Sequence, residues 1–289
     1  MRIAVIGGAG LMGAWFVKYF TSKGFSTVLT DLRMNAAQEV AHAYGAELAY
    51  SNIHAVEGAD VAFVCVPIEE IKKAVLEITP HMRKDSIIAE ISSIKSPTLE
   101  ALRTSARIGL KPLSLHPLFG PTADELKGET IVVVPVVDEL AEVAYAKQLF
   151  DEAELFISEF EEHDRAMAVI LSLTYFMNIA FAGILKKEDL HLIKRLAGTT
   201  FTVQLAVTEG VMSEDQNLVV SLLRGNPFSQ HYFNDFIEEI RRIKELSLEG
   251  SKGLFTYYGT LVESLRRDAD FNYANLRRQR AFKALKGRE

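Results

Sequence analysis

The chain begins with Met1–Gly13, MRIAVIGGAGLMG, and this stretch decides the fold. Its apolar start predicts a β-strand, and the segment after the glycines predicts an α-helix. Between them, Gly8, Gly10 and Gly13 have the G-x-G-x-x-G spacing. A strand, a glycine turn and a helix in this order bring backbone N–H groups and a helix N-terminus to a pyrophosphate. The stretch therefore predicts a dinucleotide-binding site, with an ordinary tight turn as the alternative.

Each residue of the glycine segment has an expected place in that site. We expect Gly8 to permit the tight turn, Gly10 to leave room for a phosphate, and Gly13 to let the helix lie close to the strand. Leu11 and Met12, which open the predicted helix, are included among the expected cofactor contacts.

Asp31 indicates which dinucleotide binds. It follows the second predicted strand and lies about 20 residues beyond the glycines, where a carboxylate would accept hydrogen bonds from an adenosine ribose. The same carboxylate would repel a 2′-phosphate, so we expect NAD as the cofactor. Arg33 keeps NADP as an alternative, because a guanidinium could bind that phosphate.

Composition is that of an ordinary globular protein. The chain has 289 residues, 48% of them hydrophobic, and its formal net charge of −6 gives no reason to expect nucleic acid as a partner. The single cysteine, Cys65, cannot form an internal disulfide, which favours a reducing, cytoplasmic setting. We expect no signal peptide and no metal site. The most apolar segment, 167–185, contains polar residues and is expected to be a buried helix rather than a membrane span.

The first half of the chain alternates short apolar runs with amphipathic segments. This pattern predicts an α/β fold, a doubly wound Rossmann-type parallel sheet with helices on both faces. We assign residues 1–160 to this dinucleotide-binding domain. The predicted strands are Arg2–Ile6, Thr27–Thr30, Val61–Val66, Ser86–Glu90, Lys111–Leu115 and Thr130–Pro135.

The second half, residues 161–289, predicts an all-helical domain. We expect it to contribute to the substrate site and to dimerisation, because the apolar segment 167–185 must be covered by other helices, in part from a second subunit. A homodimer is therefore expected. The predicted helices are Glu162–Leu185, Leu190–Thr208, Asp215–Leu223, Phe228–Glu249, Ser251–Arg267 and the basic segment Asn275–Arg288.

Polar and turn residues follow several predicted strands, where ligands bind in open α/β sheets. Val66 and Pro67 could line the nicotinamide half of the cofactor, or Pro67 could simply start a helix. Ser92 and Ser93 follow the next strand and are candidate site residues, because Ser96 fits the N-cap of the helix after them. We expect Ser92 to contact the cofactor and Ser93 to take part in catalysis.

His116 is the most suggestive catalytic residue. It begins the segment His-Pro-Leu-Phe-Gly-Pro after a predicted strand, and we expect it in a loop at the cofactor edge. Histidine can accept a proton from an alcohol near neutral pH, as an enzyme that removes hydride from a C–OH group requires. The alternative is a solvated or capping histidine. His163, by contrast, is interpreted as part of the polar first turn of a helix.

Together these segments resemble the prephenate/arogenate dehydrogenase family, which makes tyrosine precursors. The resemblance covers about residues 1–185 and depends most on the histidine and serine segments. The matching segments are IGGAGLMG (6–13), CVP (65–67), ISSIK (91–95), HPLFGP (116–121) and EHDR (162–165).

The resemblance implies an activity, namely NAD(P)-dependent oxidative decarboxylation. Hydride leaves the ring carbon bearing the hydroxyl, CO2 is lost, and the ring becomes aromatic. His116 would hydrogen-bond that hydroxyl and take its proton, and Ser93 would orient His116 or the nicotinamide end. Gly8, Gly10, Gly13 and Asp31 would hold the adenosine and pyrophosphate half. A helical C-terminal domain that builds the dimer is also implied.

Two departures from the family pattern concern the substrate, a small carboxylate. Tyr175 stands where members often carry a His, and Gly210 where they usually carry a carboxylate-binding Arg. We therefore expect Tyr175 at the substrate site and Arg224 as a replacement cation. Other candidate cations are Lys194, Arg195 and the cluster Arg277–Arg280. The alternatives are an oxidoreductase acting on another small carboxylate and a catalytically weak, cofactor-binding regulatory protein.

Overall fold

An eight-stranded sheet forms the centre of the first part of the chain in this computed structural model, which describes residues 1–287. Its strands are β1 (Arg2–Ile6), β2 (Ser26–Thr30), β3 (Glu47–Leu48), β4 (Val61–Val64), β5 (Ile87–Glu90), β6 (Lys111–Pro117), β7 (Thr130–Val133) and β8 (Glu154–Ile157). Their spatial order is β3-β2-β1-β4-β5-β6-β7-β8, and every neighbouring pair is parallel except β6 and β7. The expected doubly wound sheet is confirmed.

Helices cover both faces of this sheet, so both faces carry a hydrophobic core. Alternate residues of β1 enter different cores, Ile3 and Val5 on the face of α1, α2 and α6, and Ala4 and Ile6 on the face of α3, α4 and α5. Burial on both faces explains why the strands are continuous apolar runs. These helices are α1 (Leu11–Ser22), α2 (Met34–Tyr44), α3 (Asn52–Val56), α4 (Ile68–Ile78), α5 (Leu99–Arg107) and α6 (Glu139–Leu149).

The strand order determines where a ligand can bind. β1 lies between β2 and β4, so the chain changes direction across the sheet next to β1. Ligands of open α/β sheets bind outside the carboxyl ends of the strands at such a switch point. Because β1, β2, β4, β5 and β6 are mutually parallel, the residues that follow them meet at this same edge.

Two strands and several strand ends differ from the sequence-based expectation, since β4 ends at Val64 and β7 at Val133, each two residues before its predicted end. β3 and β8 were not predicted, because β3 has two residues and β8 is largely exposed, so neither forms a buried apolar run. β6 continues past Leu115 to Pro117, and His116 pairs with Val132 of the antiparallel neighbour β7. The loop expected around His116 was therefore wrong, and His116 is held by a strand.

Helices dominate from residue 160 onward, as expected. They are α7 (Phe160–Met167), α8 (Thr174–Leu185), α9 (Leu190–Leu196), α10 (Thr199–Ser213), α11 (Gln216–Gly225), α12 (Ser229–Glu249), α13 (Ser251–Leu265) and α14 (Ala274–Leu285). A π-helical segment, Ala168–Leu173, joins α7 to α8. The segment expected as one helix over Leu190–Thr208 is divided, because Ala197 and Gly198 have extended backbone. Arg288, the last residue of the predicted basic helix, lies outside the described residues.

The apolar segment Phe160–Leu185 is less buried than expected. By length and composition it is long and apolar enough to cross a membrane, and little of it is buried within the described chain. Phe176 stacks on Phe233 of α12 at 4.3 Å, and Asn178 accepts a hydrogen bond from Thr208 of α10. The single chain therefore covers little of this segment, and its expected covering by helices of a second subunit stays a prediction.

The described residues divide into two compact units. The first comprises Met1–Met167 together with Val220–Pro227, and the second begins at Ala168 and resumes at Phe228. The predicted domains, 1–160 and 161–289, have a boundary slightly earlier in the chain. The return of Val220–Pro227 to the first unit was not expected, because nothing in the pattern of that helical segment distinguishes it from its neighbours.

Candidate active site

Residues 7–13, here called the glycine loop, connect β1 to α1. Gly7 has a φ of +81°, and the N–H groups of Gly7 and Gly8 donate to Thr30 O at 2.9 and 3.0 Å. The tight turn therefore depends on Gly7 and not, as expected, on Gly8. Gly8 is required for a different reason, because a Cβ there would lie 2.7 Å from the Cβ of Leu29 in β2.

The rest of the glycine loop forms an open cradle at the start of α1. Gly10 is the N-cap of α1 and no side chain caps it. The N–H groups of the first helical turn, which includes Leu11 and Met12, point out of the helix end. A Cβ on Gly13 would lie 2.1 Å from Gly7 O, so only glycine lets the helix approach this closely. The cradle suits the pyrophosphate of a dinucleotide.

Asp31 supports the glycine loop from the end of β2. Its Oδ2 accepts the N–H of Ala9 at 3.0 Å, and its Oδ1 accepts the backbone N–H and the Nε–H of Arg33 at 2.9 and 3.3 Å. A carboxylate can accept about four hydrogen bonds, which leaves one position on Oδ2 for a ribose hydroxyl. The exposed Arg33 guanidinium lies beside the same carboxylate. The Asp31 carboxylate, which favours NAD, and the Arg33 guanidinium, which could bind NADP, are thus in direct contact.

The residues after β4 and β5 have distinct surroundings. Val66 lies beside Gly7, and Pro67 is the N-cap of α4. Ser92 is buried, and its Oγ lies 2.5 Å from Glu90 Oε2. Ser93 is partly buried and makes no hydrogen bond with residues 1–287. Its expected roles toward His116 or the nicotinamide end stay predictions.

Three buried side chains are hydrogen-bonded in a row that starts with His116 at the end of β6. His116 Nδ1 lies 2.9 Å from His163 Nε2, and His163 Nδ1 lies 2.9 Å from Asp164 Oδ1. His116 and His163 are 6% and 2% exposed, and Asp164 is fully buried. Both His163 and Asp164 belong to α7. We call these three residues the histidine chain.

Asp164 determines where the protons of the histidine chain lie. Burial opposes its ionisation, but hydrogen bonds from His163, from Ser96 and from the N–H of Lys95 hold its pKa below the usual range. An ionised carboxylate only accepts, so His163 donates from Nδ1 and, when neutral, accepts at Nε2. His116 must then donate from Nδ1. Its Nε2 is left without a proton.

The Nε2 atom of His116 is available to a ligand. It has no hydrogen-bond partner among residues 1–287. The only fully buried side-chain polar atom without a partner in that range is Ser229 Oγ, so His116 Nε2 retains contact with solvent. Burial lowers the pKa of His116 well below 6.5, the charge of Lys95 and the neighbouring His163 act in the same direction, and Asp164 opposes them. These surroundings favour the neutral imidazole, which is the form that can accept a proton.

A second polar network lies directly behind the histidine chain. Lys95 Nζ donates to Glu90 Oε1 at 2.8 Å and to Leu115 O at 2.5 Å. Glu90 Oε1 also accepts from Ser114 Oγ at 2.5 Å. Ser96, which we expected to cap α5, instead donates from N–H and Oγ–H to Asp164 Oδ2. The segment between β5 and α5 therefore connects Glu90 to Asp164.

The predicted substrate residues lie in different units. Arg224 is exposed near the end of α11, in the segment that belongs to the first unit, two residues before Asn226, whose Nδ2 donates to Asp164 O at 2.6 Å. Tyr175 is partly buried at the start of α8 in the second unit, where burial and Glu214 raise its pKa. Their contact with substrate stays a prediction.

The other candidate cations and Gly210 lie in the second unit. Lys194 pairs with Glu209 at 2.6 Å, and Arg278 donates to Thr200 Oγ1. A Cβ on Gly210 would meet no atom within 4 Å, so the position expected to carry Arg in the family has open space around it.

Sequence reasoning missed His163, Asp164, Glu90 and Lys95. His163 and Asp164 were interpreted as part of a polar first turn, but α7 begins earlier, at Phe160, and both residues are buried. One signal was present, since Glu90 is a charged residue that ends an apolar strand and a lysine follows five residues later. Charged residues are rarely buried unless they are paired.

Family models match most of the chain. Residues 16–155 match the model described as "Prephenate dehydrogenase, nucleotide-binding domain", and residues 159–258 match "Prephenate dehydrogenase, dimerization domain". The "Probable arogenate/prephenate dehydrogenase" of Methanocaldococcus jannaschii is 25% identical over 252 residues, which are 85% of this chain and 56% of that protein. The chain thus spans little more than half the length of this curated relative.

Solved structures share the fold. Synechocystis arogenate dehydrogenase superposes with a TM-score of 0.71 at 19% identity, covering 94% of this chain and all of that one. Prephenate dehydrogenase from A. aeolicus, in complex with hydroxyphenyl propionate and NAD+, has a TM-score of 0.74 at 16% identity, covering 93% of this chain and 98% of that one. At these identities the likeness concerns architecture, which includes both the sheet and the helical C-terminal region.

Proposed function

The chain belongs to the prephenate dehydrogenase family, and from this premise we propose that it is an NAD-dependent enzyme of tyrosine biosynthesis. Its reaction would be the oxidative decarboxylation of prephenate or arogenate. The names of its relatives support this substrate class. The proposed setting is the cytoplasm, which the single cysteine favours.

One observation carries the proposal, the histidine chain, whose hydrogen bonds favour an unprotonated Nε2 on His116 at the sheet edge where ligands bind. The histidine chain fixes the tautomer, and burial favours the neutral imidazole. A general base needs this state before the reaction starts. The remaining contact of Nε2 with solvent gives a substrate hydroxyl access to it.

The glycine loop and Asp31 are proposed to bind NAD. The open N-terminus of α1 suits the pyrophosphate, and the free position on Asp31 Oδ2 suits the ribose. Val66 and Pro67 would face the nicotinamide half. Arg33 lies beside the Asp31 carboxylate and could turn toward a 2′-phosphate, so weaker binding of NADP is part of the proposal.

The proposed chemistry balances in protons and electrons. When bound, NAD+ supplies the acceptor for the hydride that leaves the ring carbon bearing the hydroxyl. His116 takes the hydroxyl proton at Nε2 as that carbon becomes a carbonyl. The electron pair of the breaking ring–carboxylate bond then makes the ring aromatic, CO2 leaves, and His116 returns its proton to the ring oxygen. The products are CO2, an aromatic phenol and reduced cofactor.

A homodimer is proposed for the active protein. The segment matched by the dimerization-domain model, 159–258, includes most of the apolar surface of α8 that the single chain leaves uncovered. Covering it with a second copy would remove that surface from water. Tyr175 and Arg224 are proposed to contact the substrate, with Arg224 pairing with a carboxylate.

The test is a panel of steady-state assays on the full chain. Prephenate and arogenate are each supplied with NAD+ and with NADP+, and formation of the reduced cofactor is followed by absorbance. Turnover of either substrate with NAD+ is the expected result. Measurable NAD+ binding in a titration with turnover of neither substrate would contradict the proposed reaction and favour a regulatory role.

A further inference from the structure

An ion pair with no access to solvent lies behind the histidine chain, and the proposed chemistry does not use it. The side chains of Lys95 and Glu90 are both 0% exposed. Their Nζ and Oε1 atoms are 2.8 Å apart. A buried pair of this kind adds little net stability over an apolar pair of similar size. Stability alone is therefore a poor explanation for its presence at this edge of the sheet.

Lys95 connects three parts of the structure that together hold His116. Its Nζ donates to Glu90 at the end of β5 and to Leu115 O, the carbonyl next to His116 in β6. Its backbone N–H donates to Asp164 Oδ1, the same oxygen that binds His163. One residue thus contacts the strand that carries His116 and the carboxylate that ends the histidine chain.

We propose that Lys95, held by Glu90, is a positioning residue that orients His116 and keeps its imidazole in the neutral, proton-accepting form. The inference rests on the proposed function in one respect, namely that the neutral imidazole serves as the general base. The ammonium group donates to the carbonyl of Leu115, the residue before His116, and has no contact with water. A second positive charge on the nearby imidazole is therefore disfavoured.

The charged and titratable groups that act on His116, together with the groups that interact with them, come from four elements. Lys95 lies in the segment after β5, and His163 and Asp164 lie on α7. Glu90 ends β5, and Cys65 follows β4, where burial and Glu90 raise the pKa of its thiol. Lys95 and His163 lower the pKa of His116, and Asp164 raises it. Burial lowers the pKa of Lys95, whereas Glu90 and Asp164 raise it. Two hydrogen-bond acceptors within 2.8 Å of Nζ suit an ammonium group there.

The experiment measures the titration of His116 directly. The full chain is labelled in its histidine rings, and NMR follows the His116 signal against pH, with His116→Asn identifying the signal. Lys95→Met keeps the apolar stem and removes the ammonium group. Lys95→Met/Glu90→Gln also removes the carboxylate, so that no buried charge is left unpaired. Ser105→Ala is the control, because it removes a buried hydroxyl of α5 that bonds to Ala101 O and Thr79 and not to this network.

In both Lys95 variants the midpoint of His116 should rise by about one pH unit or more, the low end of the effect of a nearby charge. The pKa of the acid limb in the pH profile of kcat/KM should rise by the same amount. Ser105→Ala should leave both the NMR midpoint and this pKa unchanged. An unchanged midpoint in a folded variant would overturn the inference. A wild-type His116 that titrates at its ordinary pKa would overturn it without any variant. The NMR titration needs no turnover, so the inference and the proposed function fail separately.

Discussion

The glycine loop and the histidine chain lie in the same unit and are built in opposite ways. The glycine loop is seven consecutive residues that would contact the cofactor through backbone N–H groups. Glycines are required there because a Cβ would collide with Leu29 Cβ or Gly7 O. The histidine chain is made of side chains, and the two histidines that meet are 47 residues apart. In the proposed function, cofactor binding and proton transfer would thus depend on separate structures. Mutations should separate the two functions.

The largest expected effect is on turnover, from His116→Asn. Asn cannot serve as the base, so kcat should fall by roughly 10²–10⁴-fold, the usual size of a general-base contribution. The affinity for NAD+ should not change, because the glycine loop is untouched. Steady-state kinetics and a fluorescence titration of the cofactor measure the two effects. Near-normal turnover would remove His116 from the mechanism.

Asp164→Asn should lower kcat by less than His116→Asn does, and it should affect the same proton-transfer step. The amide loses the charge that His163 and Ser96 hydrogen-bond. The loss of a charged hydrogen bond is worth about 1.5–3 kcal/mol, which corresponds to a fall in kcat of roughly 10- to 100-fold. The kinetic measurement is paired with a melting curve, since a fall in Tm with unchanged kcat would mean that Asp164 is only structural.

Gly13→Ala should damage the other region. Its Cβ would lie 2.1 Å from Gly7 O, which is backbone and cannot move aside easily. The free energy of unfolding should fall by about 1–3 kcal/mol, the usual cost of overpacking. Cofactor affinity should fall with it. Chemical denaturation and a cofactor titration report both, and wild-type values for both would show that the loop is looser than described.

Gly210→Ala is the matched change outside both regions and has the smallest expected effect, of opposite sign. Gly210 lies inside α10, and a Cβ there meets no atom within 4 Å. The free energy of unfolding should rise by about 0.5–1 kcal/mol, because Ala has the higher helix propensity. Denaturation of both variants at one protein concentration gives the comparison. A destabilised Gly210→Ala would show that this open space is occupied in the protein in solution.

The glycine loop could be predicted from sequence because its requirements are local. Strand, spacing and helix follow one another within Met1–Gly13, and only the residue with positive φ, Gly7 in place of Gly8, was misassigned. The sheet could be predicted for the same reason wherever strands are buried apolar runs. β3 and β8 lack that pattern and were missed.

The histidine chain could be predicted only in part. His116 was found from its position after a strand, and the family resemblance implied that Ser93 would orient either His116 or the nicotinamide end. His163 was hidden, because its role depends on α7 placing it beside the end of β6, and no local rule specifies that contact. The burial of Lys95 likewise depends on contacts between elements that are distant in the sequence. Long-range packing decided these residues.

The central claim is that His116 presents an unprotonated Nε2 because Asp164 and His163 fix its tautomer. Nitrogen-15 NMR of the histidine rings in the full chain, without substrate and at neutral pH, tests this most directly, with His116→Asn identifying the signals. We expect a proton on His116 Nδ1 and none on Nε2. A proton on Nε2, with Nδ1 accepting from His163, would contradict it.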